Sequence, residues 1–206
     1  DGQNLDWQEV ILNPMDSKVI FVPYQASSIQ SNLPIIEMDD TSSLFSLDPP
    51  YRGREYLVYS SPEGEKQTFL ASGKEVCLSL SRPFTKVRDL ASRISQGTQG
   101  PWAKAKKIET YLKNNFTYTL KLSHSMQFDP VEEFLFKRKK GHCEFFASSM
   151  VIMLRTLNIP ARLVNGFLVE EWNAFGGYYL VREKDAHSWV EAYIAGKGWV
   201  VFDPTP

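Results

Sequence analysis

Three side chains in this chain form a set suited to acyl chemistry: a thiol at Cys143, an imidazole at His187 and a carboxylate at Asp203. A thiolate attacks carbonyl carbon, an imidazole moves the proton, and a carboxylate holds the imidazole in one tautomer. What matters is whether the elements around them deliver these groups. Cys143 follows Gly141-His142 and opens an apolar run through Phe145, Phe146, Met150, Val151, Ile152, Met153 and Leu154 to Leu157. Apolar residues cover most of the circumference of a helix over 143–157, so the spacing predicts a buried central helix. Asn158 suits the left-handed position beyond its end, and Pro160 cannot continue it. Gly141 is expected to allow a tight turn into the first helical position. Cys143 then sits where free N–H groups and the positive end of the helix dipole converge, which favours the thiolate. The competing reading is a small buried cysteine that fills core space.

The strand pattern of 185–193 places His187, Trp189, Glu191 and Tyr193 on one face. Ser188, Val190, Ala192 and Ile194 take the other, the natural core side. Gly198–Phe202 reads as a second strand, ended by Pro204. A hairpin loop of Ile194, Ala195 and Gly196 would pair residues whose numbers sum to 390, which sets His187 opposite Asp203. A loop shifted toward Gly198 would change that register. Of the remaining histidines, His142 diverges from Cys143 by about 100° around a helix start; it is a pocket-lining candidate and a poor base. His124 lies in a polar loop and is expected to be exposed.

The motifs Gly141-His142-Cys143-Glu144-Phe145-Phe146-Ala147, Leu154-Arg155 with Ile159-Pro160-Ala161-Arg162, Asp185-Ala186-His187-Ser188-Trp189 and Phe202-Asp203-Pro204-Thr205-Pro206 resemble the transglutaminase-like superfamily. Among its members they resemble extracytoplasmic domains of bacterial membrane proteins described as protein-glutamine gamma-glutamyltransferases. The likeness extends back to about Pro101. It implies an α+β, papain-like fold, with the cysteine helix on an antiparallel sheet that carries His187 and Asp203. It also implies Cys143 as nucleophile, His187 as base and acid, and Asp203 as orienting carboxylate. An aromatic side chain upstream of the cysteine often serves such enzymes, and Tyr118 and Gln127 are the candidates for a substrate-binding role there. No metal or organic cofactor is implied. The implied partner is a protein or peptide substrate of the cell envelope, and the implied setting is an extracytoplasmic domain flanked by membrane spans in a longer protein. Acyl transfer from glutamine to an amine leads on this likeness; hydrolysis through the same triad and a non-catalytic binding module are the alternatives.

The rest of the chain fits a frame for such a site. Its 206 residues suffice for one core plus a small appended unit, expected as a β-rich region over 1–82 and a catalytic core over 83–206. A formal net charge of −1 offers no field for nucleic acid. Apolar runs fall short of the roughly 18 residues of a membrane span. The piece is expected to be soluble and monomeric, with its flanks missing beyond Pro206. Within 1–82, strands are expected at Lys18–Val22, Arg54–Ser60 and Lys74–Leu80, with polar loops at 25–32 and 37–46. Cys77 reads as an inert buried thiol within the last of these strands. The adjacent acids Asp39 and Asp40 fall far short of the oxygen count calcium requires.

Helices are expected from Thr85 to Gly97, from Pro101 with Ala105, Ile108, Tyr111 and Leu112 inward, and over a short stretch from Asp129-Pro130. The basic run Lys137–Lys140 is expected to be a solvated helix end. Strands follow at Phe116–Leu122, Ala161–Val169 and Tyr178–Arg182. A loop over 170–177 carries Trp172 and Phe175, which either line an acceptor cleft with Trp189 or pack on the sheet.

Overall fold

The computed structural model describes residues 6–23, 26–33, 35–47, 53–60, 74–121 and 129–206. The chain divides into two compact units, Asp1–Val76 and Cys77–Pro206.

Among the described residues, the first unit has five strands: β1 (Asp6–Leu12), β2 (Ala26–Ser31), β3 (Ile36–Met38), β4 (Leu44–Ser46) and β5 (Arg54–Ser60). β5 is central, with β1 and β2 antiparallel on its two sides, while β3 and β4 form a separate hairpin. Tyr56 and Val58 of β5 are buried with Ile20, and Val10, Leu12 and Ile29 close over them. Tyr56 donates its hydroxyl hydrogen to the Phe21 carbonyl at 2.6 Å. Its burial pushes the phenol up to about 12.

Three expectations fail here. The polar stretches at 25–32 and 37–46 contain strands, because pairing with β5 or across a hairpin supplies what their Ser- and Asp-rich sequences do not advertise. Lys18–Val22 is not a strand; only Val19 bridges, to Phe45. Asp39, by contrast, keeps its expected loop position, shaping a turn in which it accepts from the Thr41 and Ser43 amides and the Thr41 hydroxyl.

In the second unit the helices are α1 (Thr85–Ile94), α2 (Pro101–Asn115), α3 (Pro130–Glu133) and α4 (Cys143–Thr156). α2 opens on Pro101 after Gly100, whose φ of +79° makes the entry turn. α3 is capped by Asp129, whose carboxylate accepts from the Val131 and Glu132 amides. It runs into a wider turn over Phe134–Arg138, closed by the left-handed Lys139. α4 ends one residue before its expected limit, with Asn158 left-handed at φ +60°.

The strands of this unit are β6 (Thr117–Tyr118), β7 (Lys140–Gly141), β8 (Ala161–Phe167), β9 (Glu171–Asn173), β10 (Tyr178–Leu180), β11 (Ala186–Ile194) and β12 (Gly198–Phe202). β11 is the middle of an antiparallel sheet ordered β12-β11-β8. α4 packs on β11 and β8, burying Phe146, Met150, Met153 and Leu154 against Val190, Ala192 and Ile194. α1 and α2 cover α4 with Val87, Leu90, Ile108 and Leu112. Each such side chain contributes about 1.5–3 kcal/mol on burial, so α4 is fixed as a rigid rod against the sheet.

Three expectations in this unit are also corrected. Lys74–Leu80 is not a strand: Val76–Leu78 forms a single helical turn that points Cys77 into the core. The strand expected over Phe116–Leu122 reduces to the two residues of β6, with Leu122 outside the described residues. The loop expected at 170–177 contains β9, which pairs with β10 in a hairpin.

Candidate active site

Each candidate side chain is delivered by a different kind of local structure. Cys143 is the first residue of α4, preceded by His142 in extended conformation, which caps the helix without using its side chain. The reason for Gly141 is not the one expected. Its φ is unremarkable among the glycines, but a Cβ there would lie 2.9 Å from Cβ of Phe145. Gly141 is thus needed for close packing against the first turn of the cysteine helix and not for a left-handed turn.

β7 joins this entry point to β6 in a short parallel ladder that pairs Tyr118 with Gly141. The Thr119 amide donates to the Gly141 carbonyl at 2.8 Å and continues the link. Tyr118 is therefore held two residues from Cys143 across the ladder. Burial, and to a smaller degree the negative charge of Cys143, pushes its phenol up from the usual tyrosine value. Gln127 and His124 lie outside the described residues. The His142 ring meets Phe145 edge-on at 4.8 Å between centroids.

His187 and Asp203 are brought together. His187 Nε2 lies 2.8 Å from Asp203 Oδ2, with side-chain exposures of 10% and 38%. The register that does this differs from the expected one. Ile194 pairs with Gly198 and Val190 with Phe202, so paired numbers sum to 392. The turn is Ala195-Gly196-Lys197, with Gly196 and Gly198 both left-handed and the Lys197 amide donating to the Ile194 carbonyl. Sliding the turn by one residue moves the pairing by two, so every side chain keeps its face. His187 consequently reaches Asp203 as a diagonal neighbour and not as a directly opposed one. Asp203 is further fixed by the Thr205 amide, which donates to its Oδ1 at 3.0 Å.

Trp189 stacks beside His187 with ring centroids 6.3 Å apart and planes 22° apart. Room for this comes from Gly166, paired with His187 on β8, where a Cβ would lie 2.6 Å from the Trp189 ring. Glu191, farther along the same face, is buried and ion-paired with Arg162 at 2.5 Å. Trp172 and Phe175 are not gathered into this cluster. Trp172 packs on Tyr179 within the β9–β10 hairpin, and Phe175 is fully exposed near the hairpin turn. A groove of about 530 Å³ on the α1–α2 surface is lined by Trp102, Lys106, Tyr111 and others, none of them a candidate site residue.

Sequence reasoning missed Glu109. It is 5% exposed, ion-paired with Lys106 at 2.5 Å, and accepts the Asp203 amide hydrogen at 3.1 Å. A signal was present, because Glu109 falls on the same helical face as Ala105, Ile108 and Leu112.

A cysteine-headed helix packed on an antiparallel sheet that pairs a histidine with an aspartate defines an α+β fold of papain type. Residues 88–204 match the family model described as transglutaminase-like superfamily, and the chain belongs to that superfamily. It is 41% identical over 127 residues to the uncharacterized protein YebA of Bacillus subtilis, a match covering 58% of this chain and 17% of YebA. It is 38% identical over 121 residues to a protein-glutamine gamma-glutamyltransferase of Pseudomonas aeruginosa, covering 58% of this chain and 18% of the relative. The matched stretch thus spans less than a fifth of either curated relative. Among solved structures, the periplasmic domain of TgpA from Pseudomonas aeruginosa bound to ethylmercury superposes with a TM-score of 0.79 at 28% identity, covering 98% of this chain and 76% of that one. No helix among the described residues is long and apolar enough to cross a membrane.

Proposed function

We propose that this domain is a cysteine acyltransferase of transglutaminase type, which takes the acyl group of a protein or peptide glutamine and passes it to an amine. The observation that carries the reading is the His187–Asp203 pair at 2.8 Å, on the sheet against which the helix headed by Cys143 packs. With Nε2 committed to the carboxylate, Nδ1 is the nitrogen left to take the Cys143 proton. The thiolate then adds to the glutamine side-chain carbonyl carbon. The tetrahedral oxyanion collapses, the C–N bond breaks, and His187 returns the proton to the departing ammonia. An amine attacks the resulting thioester, gives its proton to His187 and releases Cys143. Asp203 holds the imidazole in the productive tautomer and supports the imidazolium.

The Cys143 amide heads α4 and suits one oxyanion bond. Tyr118 suits the second, since the ladder to Gly141 holds its phenol donor near the head of α4. Cys143, His187 and Asp203 are the proposed catalytic residues. Trp189 is proposed as one wall of the substrate site, with His142 at its rim. Similarity to a periplasmic domain supports an extracytoplasmic setting and a substrate in the cell envelope.

Hydrolysis through the same thioester is the second reading. It is favoured by the exposure of Trp172 and Phe175, since transfer requires excluding water at about 55 M or holding the amine at high effective molarity. The two are separated by supplying a glutamine peptide and a tagged primary amine at millimolar concentration. Transfer requires tag incorporation together with ammonia release; ammonia release with no incorporation makes the domain a hydrolase. Absence of ammonia release by wild type from any glutamine donor removes the acyl-transfer reading.

A further inference from the structure

We infer that Glu109 is a positioning residue for the His187–Asp203 pair, acting from α2 through the Asp203 backbone; this rests on the acyl-transfer reading of that pair. Asp203 follows the last residue of β12 and lies beyond the paired part of the sheet, which ends at Val190 and Phe202. No ladder bond from β11 holds it, and its carboxylate is more than a third exposed. What fixes it comes from elsewhere. The Thr205 amide holds Oδ1, and the Asp203 amide is bound by Oε1 of Glu109.

A glutamate on a helix flank would ordinarily face water. This one is buried, and a buried carboxylate is strongly disfavoured unless it is paired and hydrogen-bonded. Both of its oxygens are used: Oε2 meets Lys106 one helical turn back, and Oε1 takes the Asp203 amide. A neutral acceptor could satisfy that amide at lower desolvation cost. At 3.1 Å the contact is an ordinary hydrogen bond, and it aims the one peptide whose tilt sets where Oδ2 meets His187. Lys106, half exposed at the helix surface, completes the charge pair from the solvent side.

The test compares Glu109→Ala, Glu109→Asp and Glu109→Gln with wild type in steady-state turnover, in Cys143 alkylation by iodoacetamide, and in the low-field proton spectrum. A proton shared between His187 Nε2 and Asp203 should give a low-field resonance that disappears in His187→Ala. Glu109→Asp keeps the charge, but its oxygens fall about 1.5 Å short of the amide. Positioning predicts that Glu109→Ala and Glu109→Asp each lose kcat by about 10²-fold with KM little changed, the scale of an ångström-sized misplacement. The low-field resonance should broaden or vanish in both. Glu109→Gln, which can still accept from Asp203, should recover kcat to within about threefold.

Should Glu109→Ala fail to fold, Glu109→Asp carries the test. A folded Glu109→Ala or Glu109→Asp with wild-type kcat and an intact resonance overturns the inference. A lowered melting temperature with unchanged kcat does the same, because it marks a purely structural carboxylate. If wild type itself turns over no glutamine donor, the acyl-transfer reading fails. The resonance and the Cys143 alkylation rate then still decide whether Glu109 orients the pair.

Discussion

The two thiols of this chain sit in surroundings that differ in almost every respect. Cys77 is 1% exposed, on a single helical turn, with its sulfur turned into packed side chains. Burial pushes its pKa up, with the charges of Arg155 and Arg162 pulling weakly the other way. Cys143 is partly exposed at the head of a fourteen-residue helix that buries Phe146, Ala147, Ser149, Met150, Val151, Met153 and Leu154. One site hides a thiol by surrounding it; the other holds a thiol at a surface by burying everything behind it. The contrast teaches that a reactive position is prepared less by the residues touching it than by the rigidity of the element that ends there.

The largest effect should come from exchanging the thiols for groups that cannot attack. Cys143→Ala should lower turnover by about 10⁶-fold while the melting temperature stays within a few degrees, the scale seen when a nucleophile is removed from such a set. Cys77→Ser should leave turnover per folded molecule within about twofold, although a hydroxyl buried without a partner costs about 1–3 kcal/mol of stability. Equal losses from the two variants would break the comparison.

A somewhat smaller loss is expected on the carboxylate side. Asp203→Asn keeps the shape but offers His187 the wrong hydrogen-bonding partner, and kcat should fall by about 10⁴-fold. Circular dichroism and melting temperature should stay near wild type. A loss under tenfold would mean that the Asp203 contact is packing and not orientation.

Differential labelling sharpens the contrast without any substrate. Iodoacetamide at pH 7.5, followed by peptide mass spectrometry, should modify Cys143 at least about 10²-fold faster than Cys77, which reacts only through local opening. His187→Ala should slow Cys143 and leave Cys77 unchanged. Faster reaction at Cys77 would invert the assignment.

The smallest effect concerns stability at alkaline pH. Because the folded state raises the Cys77 pKa above its ordinary value of 9.0, the stabilisation is complete below that pH. It is lost as pH rises through the higher folded value. Urea midpoints measured across pH 8–10.5 should fall less steeply in Cys77→Ala than in wild type. Parallel slopes would show that this thiol is not held protonated by the fold.

Much of this arrangement can be read from residues alone, and the parts that cannot share a cause. α4, α2, β5 and β11 declare themselves because periodicity and capping residues are local: Pro101 opens a helix, and Asn158 with Pro160 closes one. The hairpin that carries His187 and Asp203 differs by two in its register from the one the loop residues suggest. Moving the Ala195–Lys197 turn by one residue changes distance along the strand but never the face, so parity carried the assignment. The strand at Ala26–Ser31 was hidden because its stability comes from β5, some 30 residues away, and not from its own serines. Cys77 is buried as its alternating neighbours imply, but on a helical turn and not a strand, since alternation over six residues also suits one helical turn between extended segments. Glu109 escaped because a charge on a helix is ordinarily a solvated one. Only the three-dimensional approach of Asp203 reveals what it serves.

The shelf formed by Gly166 beneath Trp189 has an optical consequence. Among the described residues, Trp189 is the one of the five tryptophans that stacks beside an imidazole. A protonated imidazole quenches indole emission far more strongly than a neutral one. The intrinsic fluorescence of this domain should therefore dim as His187 takes up a proton and recover as it gives it back. A stopped-flow trace of the wild-type protein would then time the proton movements of each turnover with no label attached. Replacing Trp189 with Phe should erase that signal and leave the emission of the other four rings as a constant background.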